Sequence, residues 1–186
     1  MRGYFIESAK NLLKGEGLRS ISVRHVAEHA GYSYATMYNY FKNLNELIFV
    51  CVEDFQREAE EIIKAKTENT PGGREKIAAT AGAFVEYFTE YPGVFELFFI
   101  EKMNSSVAKQ ETSELIYTFL DRLSAREWDA LTASGEVSDE DAAKMKDALR
   151  FCTAGALLLY ENRNKPESYS DFVKTLKTQI NFILGI

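Results

Sequence analysis

The chain of 186 residues has two cysteines, Cys51 and Cys152, too few for a disulfide framework. Each is expected to serve as a small apolar residue in the reducing cytoplasm. Long apolar runs are missing as well. The most apolar stretch, Cys152 to Tyr160, is nine residues, against the ~20 needed to span a bilayer. Where a signal peptide would carry its apolar segment, Glu7, Lys10 and Lys14 stand instead. Membrane association and export are therefore not expected. No Gly-rich phosphate loop or nucleophile elbow occurs, and the only two histidines are His25 and His29. This scarcity excludes most catalytic constellations, so the expectation is no enzyme, no cofactor and no metal. Strand signals are absent too: no stretch alternates for long, and no Asn-Gly or Asp-Gly hairpin turn appears.

What remains is helical. Apolar residues recur at three and four, as in Ile77, Ala81, Phe84 and Phe88, or Leu149, Cys152, Ala156 and Leu159. Leu115, Phe119, Leu123 and Ala130 read as one further segment. The three prolines mark breaks: Thr70-Pro71-Gly72-Gly73 is a loop, Tyr91-Pro92-Gly93 a stop, and Asn162 to Pro166 ends a long apolar stretch. Ser33, Asn43 and Ser138 are candidate N-caps, and Asn43-Leu44-Asn45-Glu46 resembles a capping box. The pattern predicts an all-α fold of about nine helices. At this length folding buries roughly 70% of the unfolded chain's surface, enough to hold a core without staples.

Charge divides the chain unevenly. The net −6 is made of +2 over residues 1–50 and −8 over the rest. A basic first quarter on an acidic body suggests a polyanion-facing module. Residues 18–47 carry its chemistry. They predict a helix from Val23 to His29, a turn at Gly31, and a second helix from Ser33 to Tyr40. A helix-turn-helix needs a small residue where its helices cross, here Ala27, and a glycine where the turn goes left-handed. Val23, Val26, Ala30, Met37 and Phe41 supply an inner face. The outer face holds hydroxyls, an amide and aromatic edges with no carboxylate among them. Such a helix fits the major groove, where an amide reads base edges and hydroxyls or lysine hold phosphates. His25 and His29 are four apart, a zinc-compatible spacing, but no third ligand is near and a phosphate-facing pair is preferred.

Several motifs together resemble the TetR family of bacterial transcriptional regulators. They run from Ile6 to Ala9 and Leu12-Leu13 through Gly17, Ser22 to Ala27 and Ala30-Gly31-Tyr32-Ser33 to Thr36 to Lys42 and Asn43 to Leu47. Three positions depart from the family pattern: almost no chain precedes the first helix, Tyr34 stands where Lys is frequent, and Asn39 where His is common. The resemblance implies a DNA-binding domain over residues 1–46, three helices including the helix-turn-helix, and a larger helical ligand-binding and dimerisation domain over 47–186. It also implies a homodimer on a palindromic double-stranded DNA operator, released by a small apolar or amphipathic effector, most simply as a repressor. Candidate DNA contacts are Ser22, Arg24, Ser33 and Lys42 with Tyr34, Ala35, Thr36, Tyr38, Asn39 and Tyr40.

The acidic part is rich in aromatics, seven of them between Phe84 and Phe99. An apolar cavity with sparse polar anchors is the usual form of a small-molecule site. The candidate ligand residues are Phe55, Phe84, Tyr87, Phe88, Phe95, Phe98 and Phe99, followed by Met103, Tyr117 and Phe151. The last two helices offer apolar surface for self-association through Leu149, Thr153, Ala156, Leu157 and Tyr160, with Phe172, Leu176, Ile180 and Ile183. The rival reading is a helical small-molecule or lipid-binding protein whose first helices merely pack.

Overall fold

A computed structural model describes residues 1–18, 21–100 and 108–186. Among them the chain is all helical. It forms α1 (Arg2–Glu16), α2 (Val23–Ala30), α3 (Tyr34–Tyr38), α4 (Leu44–Thr67), α5 (Arg74–Glu90) and α6 (Pro92–Phe95), which runs into a π-helical segment at Glu96–Ile100. Then follow α7 (Ala108–Tyr117), α8 (Phe119–Leu123), α9 (Ala125–Ala133), α10 (Asp139–Arg163) and α11 (Tyr169–Leu184). Eleven α-helices among the described residues exceed the nine expected, chiefly because the single segment anticipated around residues 115–130 belongs to three helices. Thr118 and Ser124 sit at the joints, and neither side chain caps the helix that follows.

Elsewhere local chemistry sets the boundaries. Ser22, Ser33, Ser138 and Ser168 each accept a backbone N–H three residues on, capping α2, α3, α10 and α11. Asn43 Oδ1 accepts the Glu46 N–H at 3.0 Å, and the Glu46 carboxylate accepts the Lys42 N–H at 2.7 Å. This is a capping box displaced by one residue from its usual reciprocal form. Pro92 occupies the first turn of α6, where its missing N–H is not needed.

The chain divides into two compact units. Unit 1 comprises Met1–Glu58 and Tyr91–Ile116, and the expected domain boundary at residue 46 falls within it, in the first turn of α4. Its buried side chains include Phe5, Leu13, Val26, Met37, Phe41, Leu47, Cys51, Phe55 and Leu97. Cys51 donates to the Ile6 carbonyl at 3.9 Å, and burial pushes its thiol up to about 12. Two features fasten α1 to other helices of this unit. Lys14 pairs with Glu58 and lies 4.6 Å from the Tyr91 ring, while Lys10 reaches Glu58 at 3.5 Å. Gly93 brings the α6 backbone directly against the carbonyl oxygens of Leu13 and Lys14, leaving no room for a Cβ.

Unit 2 comprises Ala59–Glu90 and Tyr117–Ile186. Here α5, α10 and α11 pack mutually. Ile77, Phe84, Phe88, Trp128, Leu149, Leu157, Phe172, Leu176, Ile180 and Leu184 are buried. Arg74 of α5 donates to the Leu184 carbonyl, closing the end of α11. Arg150 bonds Asp121 at 3.0 Å, pairs with Asp147, and lies 4.1 Å from the Tyr117 ring.

Candidate DNA interface

The information-rich segment folds as two short helices about a left-handed turn. Gly31 has φ 76° and ψ 25°, and its N–H caps α2 by donating to the Ala27 and Glu28 carbonyls. The Tyr32 N–H then donates to the Ala27 carbonyl at 2.9 Å, so both groups close the helix end that a continued helix would have satisfied. Ser33 opens α3 by accepting the Thr36 N–H at 3.2 Å, and the two hydroxyls lie 2.9 Å apart. Val26, Ala27, Met37 and Phe41 are buried as the inner face, with Val23 and Ala30 half-buried at its margin.

The opposite face is largely exposed. Tyr34 is 54% and Tyr38 51% exposed. Ala35 and Asn39 between them, Ser22 and Arg24 on the preceding helix, and Ser33, Tyr40 and Lys42 at the ends of α3 are exposed as well, and Thr36 is half-buried. Arg24 lies 6.0 Å from the Tyr34 ring, which brings a guanidinium beside the phenol. Ser33 Oγ also caps α3. The Tyr40 ring leans on Phe5 at 6.1 Å with its edge still in solvent. All ten candidate residues thus cluster on or beside α3. His25 is half-buried and His29 exposed on α2. Among the described residues no group of three or more metal-binding side chains assembles.

The candidate ligand residues separate between the units. Phe55, Phe95 and Phe98 are buried and Phe99 half-buried in unit 1, where the Phe95 and Phe99 rings stack 5.4 Å apart. Phe84, Tyr87 and Phe88 are buried in unit 2, with Phe84 and Phe88 in an edge-on pair at 4.8 Å. Met103 lies outside the described residues. Tyr117 and Phe151 are exposed, the latter by 70%. Sequence periodicity gave no sign of a groove of about 750 Å³ between α5 and α11 in unit 2, floored by Ala78, Gly82, Val85, Val173 and Leu176. None of the ten candidate ligand residues lines it.

The stripe expected at a subunit interface is used within the subunit. Leu149, Thr153 and Leu157 of α10 and Phe172, Leu176 and Ile180 of α11 are buried, and Ala156, Tyr160 and Ile183 are half-buried. The physical reason is that α10 and α11 pack through this stripe against each other and against α5. Tyr160 and Phe172 stack with centroids 4.2 Å apart in that seam. What α10 and α11 leave in solvent is a second apolar set: Phe151, Leu158 and Leu159 on α10, and Phe182, 82% exposed, on α11.

A capped helix-turn-helix that presents a polar, carboxylate-free helix has the form of a DNA-binding module. The chain matches, over residues 5–51, the family model of the bacterial regulatory proteins of the tetR family. Its fold is that of the transcriptional regulator FadR from Bacillus subtilis, solved in complex with stearoyl-CoA. That likeness has a TM-score of 0.76 at 14% identity, covering 99% of this chain and 98% of that one. FadR of Bacillus halodurans, a fatty acid degradation regulator, is similar with a TM-score of 0.66 at 16% identity, covering 99% and 94%. A TetR family transcription regulator from Marinobacter aquaeolei VT8 gives 0.64 at 15%, covering 99% and 93%. No helix among the described residues is long and apolar enough to cross a membrane.

Proposed function

We propose that the protein is a cytoplasmic, homodimeric repressor that leaves a palindromic operator when an amphipathic effector binds. The exposed outer face of α3 carries this reading. A side chain amide at Asn39 and phenols at Tyr34 and Tyr38 are placed to meet base edges and the phosphates that flank them. Residues 1–46 act as the DNA-reading module and 47–186 as the effector and dimer domain. The ten residues named above on and beside α3 are its DNA contacts.

Dimerisation follows from the second apolar set on α10 and α11. Phe151, Leu158, Leu159 and Phe182 leave more hydrocarbon in water than a lone subunit has reason to expose. Two copies meeting through these residues about a two-fold axis form a four-helix contact. That axis spaces two α3 helices for successive major grooves, ~34 Å or a multiple apart. The effector is held by aromatic residues of the 47–186 segment, and an acyl chain with a polar head suits them. The likeness to a regulator that holds stearoyl-CoA favours this chemistry. Release is a population shift: the effector lowers DNA affinity by the ratio of its affinities for the two dimer arrangements.

Fluorescence anisotropy with duplexes selected from random DNA tests the reading. Saturable binding to a palindromic consensus at moderate salt is expected, with loss of binding on adding long-chain acyl-CoA and not on adding free CoA. Acyl-CoA binding without any DNA binding would leave a helical lipid-binding protein instead.

A further inference from the structure

The structure brings the first turn of α1 against residues on either side of α3. The Phe5 ring, fully buried, lies 5.6 Å from Tyr32 and 6.1 Å from Tyr40, the residues that bracket the helix. Tyr4 lies 6.0 Å from the same Tyr32, yet it is 61% exposed, more than either tyrosine on α3. The Arg2 guanidinium sits 5.1 Å from the ring of Phe41, next in sequence to Tyr40 and Lys42. Among the described residues no carboxylate pairs with it. Packing alone accounts for Phe5. It does not account for a phenol left mostly in water, or for an unpaired guanidinium held over an aromatic face where its rotamer freedom is reduced.

We infer that Arg2 and Tyr4 form a second set of phosphate contacts, a rail on the first turn of α1 beside the helix-turn-helix. This deepens the DNA-binding reading and rests on it. A guanidinium donates two N–H bonds to one phosphate in a fixed fork, and a phenol donates one O–H. The Phe41 face and the Tyr32 ring hold these donors in place before DNA arrives, which lowers the ordering cost of the contact. Phosphate contacts carry no base information, so the rail strengthens binding to operator and unrelated DNA alike and sets the register of α3 in the groove.

The test uses the full-length protein, its selected operator and an unrelated duplex, titrated over a range of salt. Tyr4→Phe keeps the ring contact with Tyr32 and removes only the hydroxyl; a three- to tenfold loss on both duplexes is expected. Arg2→Gln should weaken both duplexes and reduce the magnitude of the slope of log K against log salt by about one per subunit. Arg2→Lys should restore most of that slope. Thermal midpoints of Tyr4→Phe and Arg2→Lys should match the parent. The rail is overturned if Tyr4→Phe and Arg2→Gln bind with the parent's affinity and slope while Tyr38→Phe and Asn39→Ala weaken operator binding. It is equally overturned if the losses follow a fall in melting temperature. If none of the four substitutions changes binding, the reading of α3 itself fails.

Discussion

Both units leave tyrosine rings in water, Tyr117 and Tyr169 among them in unit 2, but only unit 2 also exposes phenylalanines. In unit 1 the exposed ones are tyrosines: Tyr4, Tyr34, Tyr38 and Tyr40. On α10 and α11 of unit 2 the most exposed large side chains are phenylalanines, Phe151 and Phe182, with Leu158 and Leu159 near them. A phenol offers a donor at the end of an apolar body and suits a partner covered in oxygen. A phenyl ring offers only hydrocarbon and suits a dry contact. The contrast is the one expected if the first surface meets a polyanion and the second meets another copy of the chain, as proposed above. It is sharper than the contrast in net charge, since the basic excess of the first fifty residues is only +2.

The strongest way to break this comparison is to put charge on the dry surface. Leu158→Glu combined with Phe182→Glu should convert the dimer to monomer in sedimentation velocity. Operator affinity should fall about 100-fold or more, because a second half-site no longer binds as part of the same molecule. Melting temperature should fall only by what association contributed and should cease to depend on protein concentration, since both side chains are exposed within the subunit. A dimer that persists would overturn the assignment of this face.

Next in size is Gly93→Ala. Its Cβ would meet the backbone carbonyl of Leu13, which cannot swing aside as a side chain would. Overpacking of this kind costs about 1–3 kcal/mol, read by urea denaturation. Operator affinity should fall with it, because α1 must give way. Gly31→Ala has open space around the new methyl group but must adopt φ 76°. The strain is about 1–2 kcal/mol, arising from the new Cβ against its own backbone and not from any packed neighbour. Ser33→Ala removes the cap of α3 and should cost about 1 kcal/mol. Asn at the same position should restore stability, which distinguishes the cap from a DNA contact.

The smallest effect is one of pH. Burial raises the Asp121 carboxyl above its ordinary value, against the opposing pull of Arg150. A raised acid takes up its proton more readily in the folded chain than in the unfolded one. Stability contributed by this group is therefore gained as pH falls through the raised value, and is complete below the ordinary carboxylate range. Melting curves of Asp121→Asn should lack this component, so the parent should gain on the variant on acidification.

The helix-turn-helix was legible because its determinants are local. Gly31, Ser33 and Asn43 act on backbone groups within three or four residues, and each does in the structure what its chemistry predicts. The placement of α10 was not legible in this way. Leu149, Thr153 and Leu157 form one apolar row, and Phe151 and Leu158 form another on the same helix. Periodicity finds both and cannot say which row α5 and α11 will cover. The breaks at Thr118 and Ser124 escaped for a related reason, since no proline or glycine marks them and no side chain cap closes them. The π-helical turn at Glu96–Ile100 has no sequence signature either. The neighbours of α1 were hidden because contacts such as Phe5 with Tyr40 join residues far apart in the chain.

One thiol is all but unreactive, and that is of practical use. Burial removes Cys51 from solvent and pushes its thiol up to about 12; it raises the Cys152 thiol too, but that side chain is only half-buried. Maleimide and nitroxide reagents should therefore modify the native chain at Cys152 alone, a half-buried position on α10. In the proposed dimer, a pair of spin labels, one from each copy, would then give an inter-subunit distance without any mutation. The same pair, followed as effector is added, would report the change of arrangement directly.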